Sequence, residues 1–183
     1  MKRALITVAV VVAALLVAGW VAWPRIVSVL IERNAAKNRQ ANRLPDDALH
    51  VLTSDPKLTL FSINPDHGTS APSGTPTFQR WPVLGHTIVT SSEQRQQLAV
   101  TLQTGLSRWS GREIAACFNP RHAIRATDGT NTFDFLICFE CCRLYYYPPD
   151  SKQRSFCIRT KAGPFDDILI AADVPRPKQP QSP

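Results

Sequence analysis

The feature that most constrains this chain is a run of twenty residues, 4–23, without a single charged side chain. A helix rises about 1.5 Å per residue, so a run of this length matches the roughly 30 Å hydrocarbon thickness of a bilayer. Trp20 and Trp23 lie at its end, where indole rings favour the headgroup level, and Arg25 closes it. The sequence therefore predicts a single-pass transmembrane anchor over residues 1–25, with Trp20, Trp23 and Arg25 at the lipid interface.

A cleaved signal peptide is the alternative to a retained anchor. Lys2 and Arg3 resemble the basic start of a signal peptide, and residues 17–19 form the only small-residue cleavage pattern. That cut would fall inside the run, which is longer than the roughly 7–15 apolar residues of a signal peptide, so the length favours retention. The orientation rules disagree, because five basic residues follow the run while two precede it. We expect a membrane location with the domain on the extracytoplasmic side, since a short basic start usually leads to export.

The net charge of +7 suggests a nucleic-acid partner, but the location of the charge argues against one. Residues 44–175 carry 12 basic and 13 acidic side chains, so the domain has no basic stripe to neutralise phosphates. Most of the basic excess flanks the apolar run, where it would attract anionic headgroups or belong to a solvated linker. The expected partner is therefore the lipid bilayer, together with a protein or an envelope component, and not nucleic acid.

Composition divides the rest of the chain into three parts. Residues 26–48 begin apolar and become basic and polar, which predicts a juxtamembrane helix that passes into a linker. Residues 49–175 form one α+β soluble domain, within which residues 64–82 are a loop rich in Pro, Gly and Ser. Residues 176–183 are a Pro-rich disordered tail.

Two periodicities alternate within the domain. Short β-branched or aromatic segments predict strands at residues 58–63, 86–90, 122–127, 132–140, 144–147 and 155–159. Asp128 and Gly129 supply the turn between the third and fourth of these strands. Ser91 begins a helix with apolar residues at Leu98, Leu102, Leu106 and Trp109, and Pro164 begins a second with Phe165, Ile168, Leu169 and Ala172. The fold class is α+β: a transmembrane helix, then a mostly antiparallel sheet with two amphipathic helices on one face.

Five cysteines, all within residues 117–157, are the main chemical signal. Cys117, His122, Cys138 and Cys141 supply the three thiolates and one imidazole that a tetrahedral zinc site uses. Against zinc, positions three apart in a strand face opposite ways. A redox-active pair of cysteines usually lies at a helix N-terminus, which lowers the thiol pKa, but no helix start follows the Cys138-to-Cys141 motif. We prefer a disulfide between Cys117 and either Cys138 or Cys141 in an exported domain, or buried thiols in a cytoplasmic one.

Other polar and aromatic clusters have ordinary structural interpretations. His122 lies between Arg121 and Arg125, a group that could hold an anion, although surface pairing with Asp134 or Glu140 is the expected role. The residues 145–147 are three consecutive tyrosines, and strand alternation places at least one of them in the core.

Two motifs resemble a group of bacterial proteins without an assigned function, many of which look exported or membrane-attached. They are Cys117-Phe-Asn-Pro-Arg-His-Ala-Ile-Arg125 and Asp134-Phe-Leu-Ile-Cys-Phe-Glu-Cys141, followed by a helix that runs into Ala-Asp-Val-Pro175. The resemblance spans residues 83–175. The resemblance implies that both motif segments are important in this group of proteins, but it assigns no activity to the chain.

The sequence favours a membrane-tethered, non-catalytic module that binds a protein or an envelope component. It contains no Gly-rich phosphate loop, no nucleophile elbow and no zinc-protease motif, so an enzyme is the minority interpretation. The alternative is a thiol- or zinc-dependent enzyme centred on Cys117, His122, Cys138 and Cys141. We expect no cofactor, zinc being the one alternative.

Overall fold

The computed structural model describes residues 20, 22–34, 36–37, 42–66, 73–108, 117–149 and 152–177. The chain divides into two compact units, Met1–Gln40 and Ala41–Pro183. In the first unit all the described residues are helical, and the side chains of Trp20, Trp23 and Arg25 are exposed. Among the described residues, no helix combines the length and the apolar character needed to cross a membrane.

The second unit contains one sheet and three helices among its described residues. Its helices are α1 (Asp46–Ser54), α2 (Ser92–Ser107) and α3 (Gly163–Ala171). Its strands are β1 (Thr59–Ile63), β2 (Thr77–Phe78), β3 (Trp81–Ile88), β4 (His122–Thr127), β5 (Thr132–Cys138), β6 (Arg143–Tyr147) and β7 (Arg154–Cys157). The strands form an antiparallel half-barrel in the order β2-β3-β1-β4-β5-β6-β7.

The predicted fold class is corrected in two respects. The transmembrane helix is absent from the described residues, and most of the run 4–23 lies outside them. The domain has three helices where the sequence predicted two, because α1 begins inside the segment assigned to the linker. Asp46 and Asp47 stabilise its first turn, and Ala48, Val51 and Leu52 bury one short face.

One face of the sheet packs on all three helices and forms the main core. Alternate residues of β5 point into it, namely Phe133, Phe135 and Ile137, as their predicted alternation requires. The helices contribute apolar stripes to the same cluster, and the fully buried members include Leu52, Leu98, Leu102, Leu106, Phe165 and Leu169. This face is the helix-covered face.

The opposite face, the second face, carries a smaller core. Ile63, Ala123 and Leu136 are buried there beneath Phe78 of β2. A register shift between Ser62 and Ile63 marks a bulge in the pairing of β1 with β3. The β2–β3 hairpin thus covers part of the face that the sequence left open.

Most predicted elements agree with the structure, and the differences lie at their boundaries. Ser91 caps α2 by accepting a hydrogen bond from the N–H of Gln94, and Pro164 lies in the first turn of α3. Ala172 follows α3 and is exposed, whereas the sequence placed it on the apolar face. β3 begins at Trp81, inside the predicted loop 64–82, and β2 lies wholly within that loop. Trp109 lies outside the described residues.

Candidate functional site

A turn between β5 and β6 brings two of the cysteines together. β5 ends at Cys138, and residues 139–142 form the turn, so Cys141 does not continue the strand alternation. The Cα atoms of Cys138 and Cys141 lie 5.3 Å apart, and their sulfurs form a disulfide. The N–H of Cys141 also donates a hydrogen bond to Sγ of Cys138 at 3.0 Å.

A third sulfur touches this disulfide from the loop before β4. Sγ of Cys117 lies 3.4 Å from Sγ of Cys141. The N–H of Asn119 donates to the same Cys141 sulfur at 3.3 Å, which fixes the loop against the turn. Cys117 is exposed and free, whereas Cys138 and Cys141 are 1% and 0% exposed. We call Cys117, Cys138 and Cys141 the sulfur cluster.

The disulfide differs from the pairing that the sequence favoured. Cys138 bonds to Cys141, and Cys117 is not a member of the bond although it was a candidate. Cys142 and Cys157 are free and half-buried, and burial raises the pKa of the Cys157 thiol. The sequence motif identified the members of the sulfur cluster but not which two of them pair.

His122 does not join the sulfur cluster. Its ring is buried between the rings of Phe139 and Phe165, at centroid distances of 5.4 and 5.7 Å. Its Nε2 lies 3.2 Å from Oδ1 of Asp166 on α3. Within the described ranges no three His, Cys, Asp or Glu side chains are grouped so that they could hold a metal ion. Of the predicted zinc ligands, two form the disulfide and Cys117 is a free thiol beside it, while His122 lies apart against Asp166.

Asp166 is the shared acidic partner of His122 and Arg176. It accepts from His122 and, at 3.4 Å, from Nη1 of Arg176. The hydrogen bond from His122, assisted by Arg176, holds the pKa of Asp166 below its ordinary value. The sequence did not indicate this contact, because Asp166 is 44 residues from His122 and lies on a different element.

The second face carries a buried carboxylate held by two neighbours. Arg125 donates to Asp134 through Nε at 2.8 Å and Nη2 at 2.7 Å. Nε2 of Gln79 donates to the same carboxylate at 2.8 Å. Arg121 also lies 3.9 Å from Glu140, so the two arginines pair with Asp134 and Glu140. The surface pairing predicted for His122 is wrong, because His122 is buried beside Asp166.

Three aromatic rings form a continuous row on the second face. The Phe118 ring lies 4.0 Å from that of Tyr145 and 5.9 Å from that of Trp81, measured between centroids. All three side chains are partly buried and partly open to solvent. We call Trp81, Phe118 and Tyr145 the aromatic strip.

The tyrosine triplet supplies one residue to the core and one to the strip, as strand alternation predicted. Tyr146 is buried on the helix-covered face, while Tyr145 and Tyr147 point to the second face. Burial raises the pKa of Tyr147. Beside Tyr147 and Asp134 lies a cleft of about 380 Å³ that is lined by the polar side chains of Gln79, Thr130 and Thr132. Sequence analysis missed Trp81 and Phe118 because no periodic pattern surrounds them.

Fold and site together define the class: an antiparallel half-barrel domain with three helices, a disulfide-containing sulfur cluster and an aromatic strip. Comparisons of the chain with protein-family models, with curated proteins and with solved structures found no match. The resemblance of its two motifs to a bacterial group remains a prediction from the sequence.

Proposed function

We propose that the domain is a non-catalytic module that binds a protein partner through the aromatic strip. The observation that carries this proposal is the row formed by Trp81, Phe118 and Tyr145, whose rings contact each other while part of each stays accessible. Tyr and Trp offer a large contact area at a small cost in side-chain entropy, and they are enriched among residues that dominate binding energy.

The second face, which carries the strip, also presents an ordered arginine. Arg125 is half-exposed and held in place by its two bonds to Asp134, and burying an already ordered guanidinium costs less entropy. Phe118 packs on Tyr145, so the strip is partly preorganised before a partner arrives. The domain is nearly neutral, which leaves aromatic contact and hydrogen bonding as the main contributions to affinity.

Site-specific photo-crosslinking in the native cells tests this binding surface. A photoreactive phenylalanine analogue replaces either Trp81 or Tyr145. The matched controls carry the same analogue at Val100 or Ile170, which are exposed apolar residues on α2 and α3. We expect discrete protein adducts from the strip positions alone. Adducts of equal yield from Val100 and Ile170, or none from either strip position in a folded chain, would contradict the proposal.

A thiol- or zinc-dependent enzyme is the second candidate, favoured by the 3.4 Å contact between Cys117 and Cys141. Zinc needs thiolates, so reduction of the disulfide would have to precede metal binding. Metal analysis and thiol counting on the purified full chain separate the two candidates. One bound zinc per chain, or two thiols of the sulfur cluster that react fast at the same time, favours the enzyme, whereas a metal-free protein that keeps one disulfide within the sulfur cluster favours the binding module.

We propose further that the domain works in an oxidising compartment outside the cytoplasm. The support is the Cys138–Cys141 disulfide, since cytoplasmic thiols are kept reduced. Alkylation of the protein inside intact cells, followed by peptide mass spectrometry, tests the compartment. Two of the three cysteines in the sulfur cluster should escape alkylation until a reductant is added, and full alkylation of all three without a reductant would place the domain in a reducing compartment.

A further inference from the structure

The sulfur cluster places a free thiol in van der Waals contact with a disulfide. Sγ of Cys117 is 3.4 Å from Sγ of Cys141, within the 3–3.5 Å or so that separates reacting atoms before attack. Cys141 is bonded to Cys138, and both bonded residues are buried, whereas Cys117 is exposed. An external thiol therefore meets Cys117 before it meets either bonded sulfur.

We propose that the sulfur cluster is a thiol–disulfide exchange centre in which the bond moves between Cys138–Cys141 and Cys117–Cys141. The Cys117 thiol loses its proton to solvent, and the thiolate attacks Sγ of Cys141. The bond from Cys141 to Cys138 breaks, and its electron pair leaves with Cys138 as a thiolate, which takes a proton. One disulfide and one thiol are present before and after, so the exchange needs no oxidant and no reductant.

Two backbone N–H groups donate to the sulfurs that take part in this exchange. The N–H of Cys141 points at Sγ of Cys138, at 3.0 Å, and a donor there stabilises the negative charge on the departing sulfur. The N–H of Asn119 holds the central sulfur of Cys141 at 3.3 Å, next to the loop that carries Cys117. Cys142 also lies in the turn, but its thiol is directed to the carbonyl of Phe139.

The exchange changes which segments of the chain the disulfide crosslinks and whether a bonded sulfur is exposed to solvent. The Cys138–Cys141 bond closes only the turn, whereas a Cys117–Cys141 bond ties the loop before β4 to that turn across 24 residues. It also transfers the bond from a buried pair to a pair with an exposed member. An external thiol can then form a mixed disulfide at Cys117, with Cys141 as the leaving thiolate.

Disulfide mapping in the full chain tests the exchange, because trypsin separates the partners. Cys117 falls in the peptide 113–121, and Cys138, Cys141 and Cys142 fall together in 126–143. The double variant Cys138→Ser with Cys142→Ser leaves Cys141 as the sole cysteine of the second peptide. After equilibration with reduced and oxidised glutathione, we expect loss of both the Cys117 and Cys141 thiols and recovery of the two peptides as one crosslinked species.

The matched control is the double variant Cys141→Ser with Cys142→Ser, which keeps a thiol at Cys138 but lacks the sulfur that Cys117 touches. An equal crosslink yield in both variants overturns the proposal, as does quantitative alkylation of Cys117 and Cys141 in the folded Cys138→Ser variant. If circular dichroism shows that this variant does not fold, the unmutated chain decides. After incubation in mildly alkaline buffer, acid quenching, unfolding and maleimide labelling place label on Cys117 in some molecules and on Cys138 in others when the exchange occurs, and label on Cys117 without Cys138 overturns it.

Discussion

Single buried polar residues join parts of the chain that are far apart in sequence. Asn42 is buried, and its side-chain amide donates to the carbonyls of Leu106 and Cys157, at 2.7 and 2.6 Å. Its Oδ1 accepts from the N–H of Cys157 at 2.8 Å, as a neighbouring strand would. One side chain thus fastens the segment before α1 to the end of α2 and to the edge strand β7.

We predict that Asn42→Ala lowers the free energy of unfolding by about 2 kcal/mol, because it leaves buried backbone groups without partners. Urea denaturation followed by circular dichroism measures the change. Asn64→Ala is the control, since the Asn64 side chain accepts from the N–H of Asp66 in a local turn. Its effect should stay below about 0.5 kcal/mol. Equal losses in both variants would contradict the role assigned to Asn42.

Asp166 makes the stability of the domain depend on pH. Its pKa is lowered in the folded state by His122 and then by Arg176, so the stabilisation is present above the ordinary carboxyl pKa and is lost as pH falls through the folded pKa. We predict that Asp166→Asn is less stable near neutral pH by about 1 kcal/mol. The difference should shrink below about pH 4. Denaturation at several pH values checks this, and a constant difference down to acid pH would contradict it.

At the scale of elements, α2 comes unusually close to the segment that follows β7. A Cβ placed on Gly105 would lie 2.8 Å from Cγ1 of Ile158 and 2.9 Å from Cγ2 of Thr160. The carbonyl of Gly105 also accepts from the N–H of Arg159 at 2.9 Å. Both clashing side chains are β-branched and therefore stiff. A glycine is needed at position 105 so that α2 can approach the segment after β7 closely, although glycine weakens a helix.

We predict that Gly105→Ala destabilises the domain by about 1–3 kcal/mol, because overpacking outweighs the gain of about 1 kcal/mol in helix propensity. Gly163→Ala is the matched control, since a Cβ on Gly163 in the first turn of α3 meets nothing within 4 Å. That variant should be neutral or slightly more stable. Thermal unfolding compares the two, and stabilisation by Gly105→Ala would show that the helix can shift to make room.

At the scale of the whole molecule, the β2–β3 hairpin gives the half-barrel its second core. Phe78 is fully buried against the ring of Phe61, with centroids 4.9 Å apart, and the Arg125 guanidinium lies 5.1 Å above it. Gln79, the next residue, bonds to Asp134 on β5. Because these contacts cross the sheet, the short β2 joins the edge of the half-barrel to its middle.

We predict that Phe78→Ala lowers the free energy of unfolding by about 3 kcal/mol, from lost burial and the cavity that remains. Loss of that contact should also release the hairpin, so the fluorescence of Trp81 should shift towards the solvent-exposed value. Acrylamide quenching and urea denaturation measure the two effects. A destabilised variant with unchanged quenching would mean that the hairpin stays in place without Phe78.

The sequence by itself determined the elements whose cause is local. The spacing of Leu98, Leu102 and Leu106 after the Ser91 cap defined α2, and Asp128 with Gly129, whose φ is +95°, defined the turn between β4 and β5. Alternation predicted that at least one of the tyrosines 145–147 lies in the core, and Tyr146 does. These features depend on neighbours within a few residues, where helix geometry, turn chemistry and the two-residue period of a strand act directly.

Only the tertiary structure decided how distant residues combine. The bond between Cys138 and Cys141, with Cys117 beside it, required the strand to stop at Cys138, whereas the sequence continued the strand to residue 140. β2 and the first half of β3 form among Pro and Gly residues because pairing and burial of Phe78 outweigh weak local preference. Contacts between residues far apart in sequence leave no periodic signal, and for that reason the aromatic strip and the pairing within the sulfur cluster became visible only in three dimensions.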